Sequence, residues 1–118
     1  MIELEDRIVR FAARCVKVCT ALPTKAVGSA SFADQLFRSS TSIAANYAES
    51  CEAESAKDFV HKLKVAMKEL SETRIWLRLI GEAGYIKTAK LADLIGESRE
   101  LSRILSASVA TTRKKIRG

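Results

Sequence analysis

One proline, one histidine and one tryptophan occur among 118 residues, and aromatic side chains make up only 6% of them. With so little proline, the chain lacks the main interrupter of helices. Three cysteines, Cys15, Cys19 and Cys51, are an odd number without a spaced framework, which excludes a disulfide-stapled secreted scaffold. Cys15 and Cys19 stand four apart on one helical face and read as small core side chains. With His61 as the lone histidine, there is no Cys/His cluster and no Glu-x-x-His pair for a metal. No Gly-rich phosphate loop is present, and nothing supplies a nucleophile beside a base. Arg38, Asn46 and Glu49 could form a polar site, but no motif turns them into catalytic machinery. The sequence therefore predicts no enzyme, no metal, no cofactor and no small-molecule substrate. No apolar run approaches the ~20 residues of a membrane span. The start, Met1 to Asp6, is acidic and lacks the apolar segment of a signal peptide. A cytoplasmic protein without a membrane partner is expected.

What the chain does have is apolar material, at 47% of residues, and a surplus of positive charge, +6. The length fits one domain, residues 1–118, with one core. The charge is uneven: residues 1–55 carry six basic and seven acidic side chains, residues 56–118 fourteen and seven. Arg113, Lys114, Lys115 and Arg117 crowd the tail. An excess of this kind favours polyanions, though ordinary solubility also accounts for it.

Apolar residues recur at steps of three and four throughout, the signature of amphipathic helices, and no segment alternates as a strand would. A first helix is predicted from about Glu3 to Ala21, with Ile8, Phe11/Ala12, Cys15, Val18/Cys19 and Leu22 inward; Pro23 ends it. Ser31 and Asp34 have capping-box spacing and predict the start of a second helix, with Phe32, Leu36, Ser40, Ile43, Tyr47 and Cys51 on one face. Ser55 and Asp58 repeat the signature before a third, whose stripe is Phe59, Leu63, Ala66/Met67, Leu70, Leu77 and Ile80. Gly84 suits its C-terminal cap. Thr88 is the predicted cap of a fourth, with Leu91, Leu94/Ile95, Leu101, Ile104/Leu105, Ser108/Val109 and Ile116 inward. The fold class that follows is all-α, an antiparallel up-down-up-down four-helix bundle.

Two surfaces stand apart from these stripes. Arg7, Arg10, Arg14 and Lys17 line one side of the first helix, and Lys57, His61, Lys64 and Lys68 one side of the third. With the tail, these two basic ridges could neutralise several phosphates of RNA or DNA. Alternatively they are solvated faces paired with nearby carboxylates. Aromatics are scarce among them, so any reading of nucleic acid should follow shape and charge rather than bases. On the second helix, Gln35, Arg38, Ser42, Asn46 and Glu49 fall opposite the apolar stripe, among the small residues Ser39, Thr41, Ala44, Ala45 and Ala48. That is the pattern of a subunit interface, or of a plain polar face.

The run from Phe32 to Glu49, with Gln35, Arg38, Ser42-Ile43, Asn46 and Ala48-Glu49, resembles the signature of the bacterial four-helix-bundle proteins encoded in intervening sequences of 23S ribosomal RNA genes. The Ser55, Phe59, Leu63 opening of the third helix, Glu72, and the Glu82 to Ile86 close fit as well. Ser50 stands where that family usually carries glycine. The resemblance implies a four-helix bundle assembled into a ring-shaped homopentamer. It is also similar to the accessory protein of diversity-generating retroelements, a basic pentamer that engages nucleic acid. Gln35, Arg38, Ser42, Asn46 and Glu49 would then be structural or interface positions. Five copies would carry about +30, a strong field for a polyanion. The function expected is a non-enzymatic oligomeric scaffold for RNA or DNA; the alternative is an adaptor for a partner protein.

Overall fold

Each amphipathic stretch forms one helix: α1 (Leu4–Ala21), α2 (Ser29–Cys51), α3 (Ala56–Glu82) and α4 (Thr88–Arg117). The computed structural model describes residues 3–118, so Met1 and Ile2 of the acidic start lie outside the described residues. Consecutive helices pack side by side, α1 on α2, α2 on α3 and α3 on α4, and α1 closes more lightly on α4. The backbones of the diagonal pairs, α1 with α3 and α2 with α4, stay apart. This is the up-down-up-down bundle, 54 × 23 × 22 Å in extent.

Its interior is filled by the predicted stripes. Ile8, Phe11 and Cys15 from α1, with Leu22 just past its end, meet Leu36 and Ile43, then Leu63, Leu70, Leu77 and Ile80, then Leu91, Leu101 and Leu105. Burying each large side chain contributes about 1.5–3 kcal/mol against leaving it in water. A polar layer also runs inside: Ser39, Ser40, Ser50, Thr73 and Ser98 are buried. The hydroxyls of Ser39 on α2 and Thr73 on α3 stand 2.8 Å apart, with Thr73 also within 2.8 Å of the Glu69 carbonyl. Small hydroxyls let the two backbones approach while their polar atoms stay satisfied.

The helix ends follow local chemistry, not always as the sequence suggested. Ser55 does cap α3, its Oγ accepting from the Asp58 N–H at 3.0 Å. Ser31 does not cap α2. The helix starts two residues earlier, because Gly28 takes a left-handed φ of 84° and the Phe32 N–H already bonds its carbonyl. Thr88 is likewise inside α4, the cap position falling to Lys87 without a side-chain bond. At the end of α3, Gly84 has φ 81°, its N–H bonds the Gly81 carbonyl, and the Tyr85 N–H bonds that of Ile80. That is a Schellman motif. Tyr85 then donates its hydroxyl to the Val27 carbonyl and packs edge-on against Phe32, tying the α1–α2 and α3–α4 connections together.

Phe59 packs partly buried against the core at the start of α3, with Val60 buried beside it. Two stripe positions differ. Cys51 and Ile116 are exposed, because α2 and α4 there run out past the packed interior.

The cysteines report this gradient directly. Cys15 is fully buried, Cys19 half-buried and Cys51 exposed. Burial, with Cys19 adding to it, pushes the Cys15 thiol up to about 12. Below that value the group stays a neutral thiol and unreactive. Iodoacetamide at pH 8 should label Cys51 first and Cys15 only in denaturant, as read by peptide mass spectrometry. Equal labelling rates in the native protein would contradict this packing.

Candidate nucleic-acid interface

The α1 ridge is half occupied. Arg7 makes a two-pronged bond to Glu97 of α4, Nε to Oε2 at 2.7 Å and Nη2 to Oε1 at 2.8 Å. Arg14 reaches Asp93, also on α4, at 2.7 Å. Glu97 holds the Arg7 guanidinium above its ordinary value, burial opposing it. These arginines stitch the light α1–α4 contact. Arg10 and Lys17 are exposed and take no carboxylate among the described residues.

The α3 ridge is different. Lys57, His61, Lys64 and Lys68 are all exposed, and none forms an ion pair among the described residues. The one cation of this segment that does is Lys62, one residue off the row, which bonds Glu49 of α2 at 3.1 Å. Steps of four and three carry the same outward row on through Ser71, Ile75 and Leu79, the last two 48% and 44% exposed. One stripe of α3 is thus cationic in its first half and apolar in its second.

Arg113 and, on the last turn of α4, Lys114, Lys115 and Arg117 are exposed, and the last three complement the negative end of its dipole. Antiparallel packing brings that end beside the start of α3. A shallow groove of about 400 Å³ between them is lined by Phe59, Ile104 and Thr112. Lys57 and the tail therefore share one pole of the bundle. The α1 and α3 ridges do not share a surface, since their helices sit on a diagonal.

Gln35, Arg38, Ser42, Asn46 and Glu49 lie on the side of α2 that adjoins α3. Arg38 donates to Glu69 at 3.1 Å and to Glu72, and Gln35 supports it from 3.3 Å. Glu72 also accepts from the Trp76 indole at 2.9 Å. Asn46 turns back on its own helix, its amide donating to the Ser42 carbonyl at 2.9 Å and hydroxyl at 3.0 Å. Glu49 takes Lys62. The polar pattern read from the sequence is in this chain a seam that fastens α2 to α3.

Sequence reasoning missed a second basic group. Arg74 and Arg78 on α3 stand near Arg99 on α4; burial first, then the charges of Arg99 and Arg78, hold Arg74 below its ordinary value. Arg74 donates to the hydroxyls of Ser98 and Ser102, each at 3.3 Å. The spacing of 74 and 78 was visible, but the third arginine comes from another helix. Among the described residues, no three metal-ligating side chains come together, and no helix is long and apolar enough to cross a membrane.

A family model described as 23S rRNA-intervening sequence protein matches residues 2–107. Among solved structures, a protein with unknown function from the S23 ribosomal protein family of Bacteroides thetaiotaomicron superposes with a TM-score of 0.82. It is 32% identical over 91% of this chain and 98% of its own. No curated protein matches.

If the α2 polar row serves this seam, Arg38→Ala should leave the fold intact, lower stability by about 1 kcal/mol in urea titration and shift the Trp76 emission. Unchanged stability with loss of self-association would instead assign the row to contacts between copies.

Proposed function

Because this chain belongs to the 23S rRNA-intervening sequence protein family, we propose that it is a non-enzymatic, self-associating scaffold, a ring of five copies, that holds RNA or DNA by its backbone. The observation that carries the nucleic-acid reading is the uncompensated row Lys57, Lys64 and Lys68 on α3, joined at one pole by the α4 tail. Lysines are compact point charges suited to phosphates and carry no base preference. Each phosphate neutralised releases counterions, so affinity follows salt and is indifferent to sequence. Of the α1 ridge, Arg10 and Lys17 are available to add to this row, whereas Arg7 and Arg14 are engaged in holding α4.

Self-association is supported by apolar side chains left in water on more than one face. Ile75 and Leu79 sit on α3, and Val9 and Phe37, each about half exposed, on α1 and α2. Two different apolar faces on one chain suit a head-to-tail contact, which closes into a ring when the rotation per copy allows. In such a ring the Lys57–Lys68 half of the α3 stripe stays free for phosphate while its apolar half meets a sister copy.

Fluorescence anisotropy with an unstructured RNA and a DNA duplex should give similar affinities that fall as a power of salt, with a log–log slope of about −3 or steeper. Lys57→Glu with Lys64→Glu and Lys68→Glu should abolish binding and leave helicity unchanged. Binding that survives this triple reversal would remove the α3 stripe from the reading. Light scattering should find a multiple of 13.0 kDa, about 65 kDa for five copies. Ile75→Glu with Leu79→Glu should return it to one copy. A wild-type mass of 13.0 kDa at every concentration would end the ring.

A further inference from the structure

Between the end of α3 and the start of α4 lies a cleft of about 280 Å³, far from the lysine pole, with Arg78 and Arg99 on its walls. Leu77, Leu91 and Ile95 supply an apolar floor, and Glu82 stands at the same opening. Arg74 lies outside the cleft lining, and its side chain bonds the hydroxyls of Ser98 and Ser102. Neither Arg78 nor Arg99 has a carboxylate partner among the described residues, whereas Arg7, Arg14, Arg38 and Arg103 all have one. Arg78 and Arg99 thus face one opening from two helices, and an anion seated between them can meet both guanidiniums. Guanidinium geometry suits a phosphate or carboxylate that takes two parallel bonds.

The cleft asks for more than a bare anion. An apolar floor beside a cationic wall is the lining of a small-molecule site, where greasy contact supplies affinity and a few polar groups fix orientation. The volume is near the lower limit for such sites and matches one compact ring system with its charged group. Glu82 adds an acceptor for a ligand that carries its own hydroxyl or amino donors. A charged group, a flat weakly polar body and hydrogen-bond donors occur together in a phosphorylated nucleoside.

We infer that the α3–α4 cleft binds a nucleoside monophosphate, its phosphate on Arg78 and Arg99 and its base over Leu91 and Ile95. The ligand is a free nucleotide or the phosphorylated end of a strand; only the second source rests on the nucleic-acid reading above.

The test is calorimetric titration of the full chain with AMP, adenosine and inorganic phosphate, helicity being checked by circular dichroism. AMP should bind, and adenosine and phosphate should each bind at least tenfold more weakly, because each lacks half of the contacts. Arg78→Ala and Arg99→Ala should each weaken AMP about tenfold, the cost of one charge-assisted bond. Both side chains are exposed, so the variants should fold. Ala92→Trp, which fills the cleft without altering charge, should abolish binding. The triple lysine reversal should leave AMP binding unchanged, which separates this site from the α3 stripe. Short RNAs with a 5′-phosphate or a 5′-hydroxyl then distinguish the sources. A preference for the phosphate that disappears in Arg99→Ala identifies the strand end, and equal binding identifies the free nucleotide. No AMP binding at millimolar concentration, or AMP binding undiminished by Arg99→Ala and Ala92→Trp, overturns the inference.

Discussion

The rest of the molecule depends on how α3 is clamped between α2 and α4. Leu63, Leu70 and Leu77 turn inward, Thr73 turns to Ser39 on α2, and Arg74 turns to Ser98 and Ser102 on α4. Those engagements use most of the circumference of a helix only about 10–12 Å across with its side chains. What remains is one outward stripe, and whatever the chain exposes on α3 must be exposed there.

That constraint explains why similar cations have different fates on two helices. Arg7 and Arg14 occupy the side of α1 that looks toward α4, and Glu97 and Asp93 are within reach. Lys57, Lys64 and Lys68 occupy the exposed side of α3, and no acid pairs with them among the described residues. Lys62, one position off the stripe toward α2, finds Glu49 at once. The uncompensated charge thus follows from topology, because both helices are equally rich in basic residues where it matters.

The four helices, their order and most of the core were legible because the apolar period of Leu63, Leu70 and Leu77, or of Leu91, Leu101 and Leu105, survives any local uncertainty. Ser55 was legible as a cap because its partner Asp58 lies in the same segment. Ser31 misled for the same reason: its spacing is right, but Gly28 can turn the chain earlier, and only the surrounding packing decides between them. The α2 polar row was read as a row, yet its partners Glu69, Glu72 and Lys62 are on another helix, so its direction was hidden. Arg74, Arg78 and Arg99 were invisible as a group because their proximity exists only once α3 and α4 are side by side. The likeness of the second helix to a known family carried further than periodicity, since it bears on a whole pattern of residues at once.

Tyr85 joins two turns that are 58 residues apart in sequence, bonding Val27 while leaning on Phe32. At the opposite pole the turn between α2 and α3 is fastened by its own backbone bonds, the Ser55 cap and the Glu49–Lys62 pair that flanks it. The Tyr85 latch is therefore confined to one pole, and Lys57 and the end of α4 lie at the other. A polyanion laid across that unlatched pole would add a second fastening, so its grip would show first as slowed amide exchange in the last turns of α4 and the first of α3.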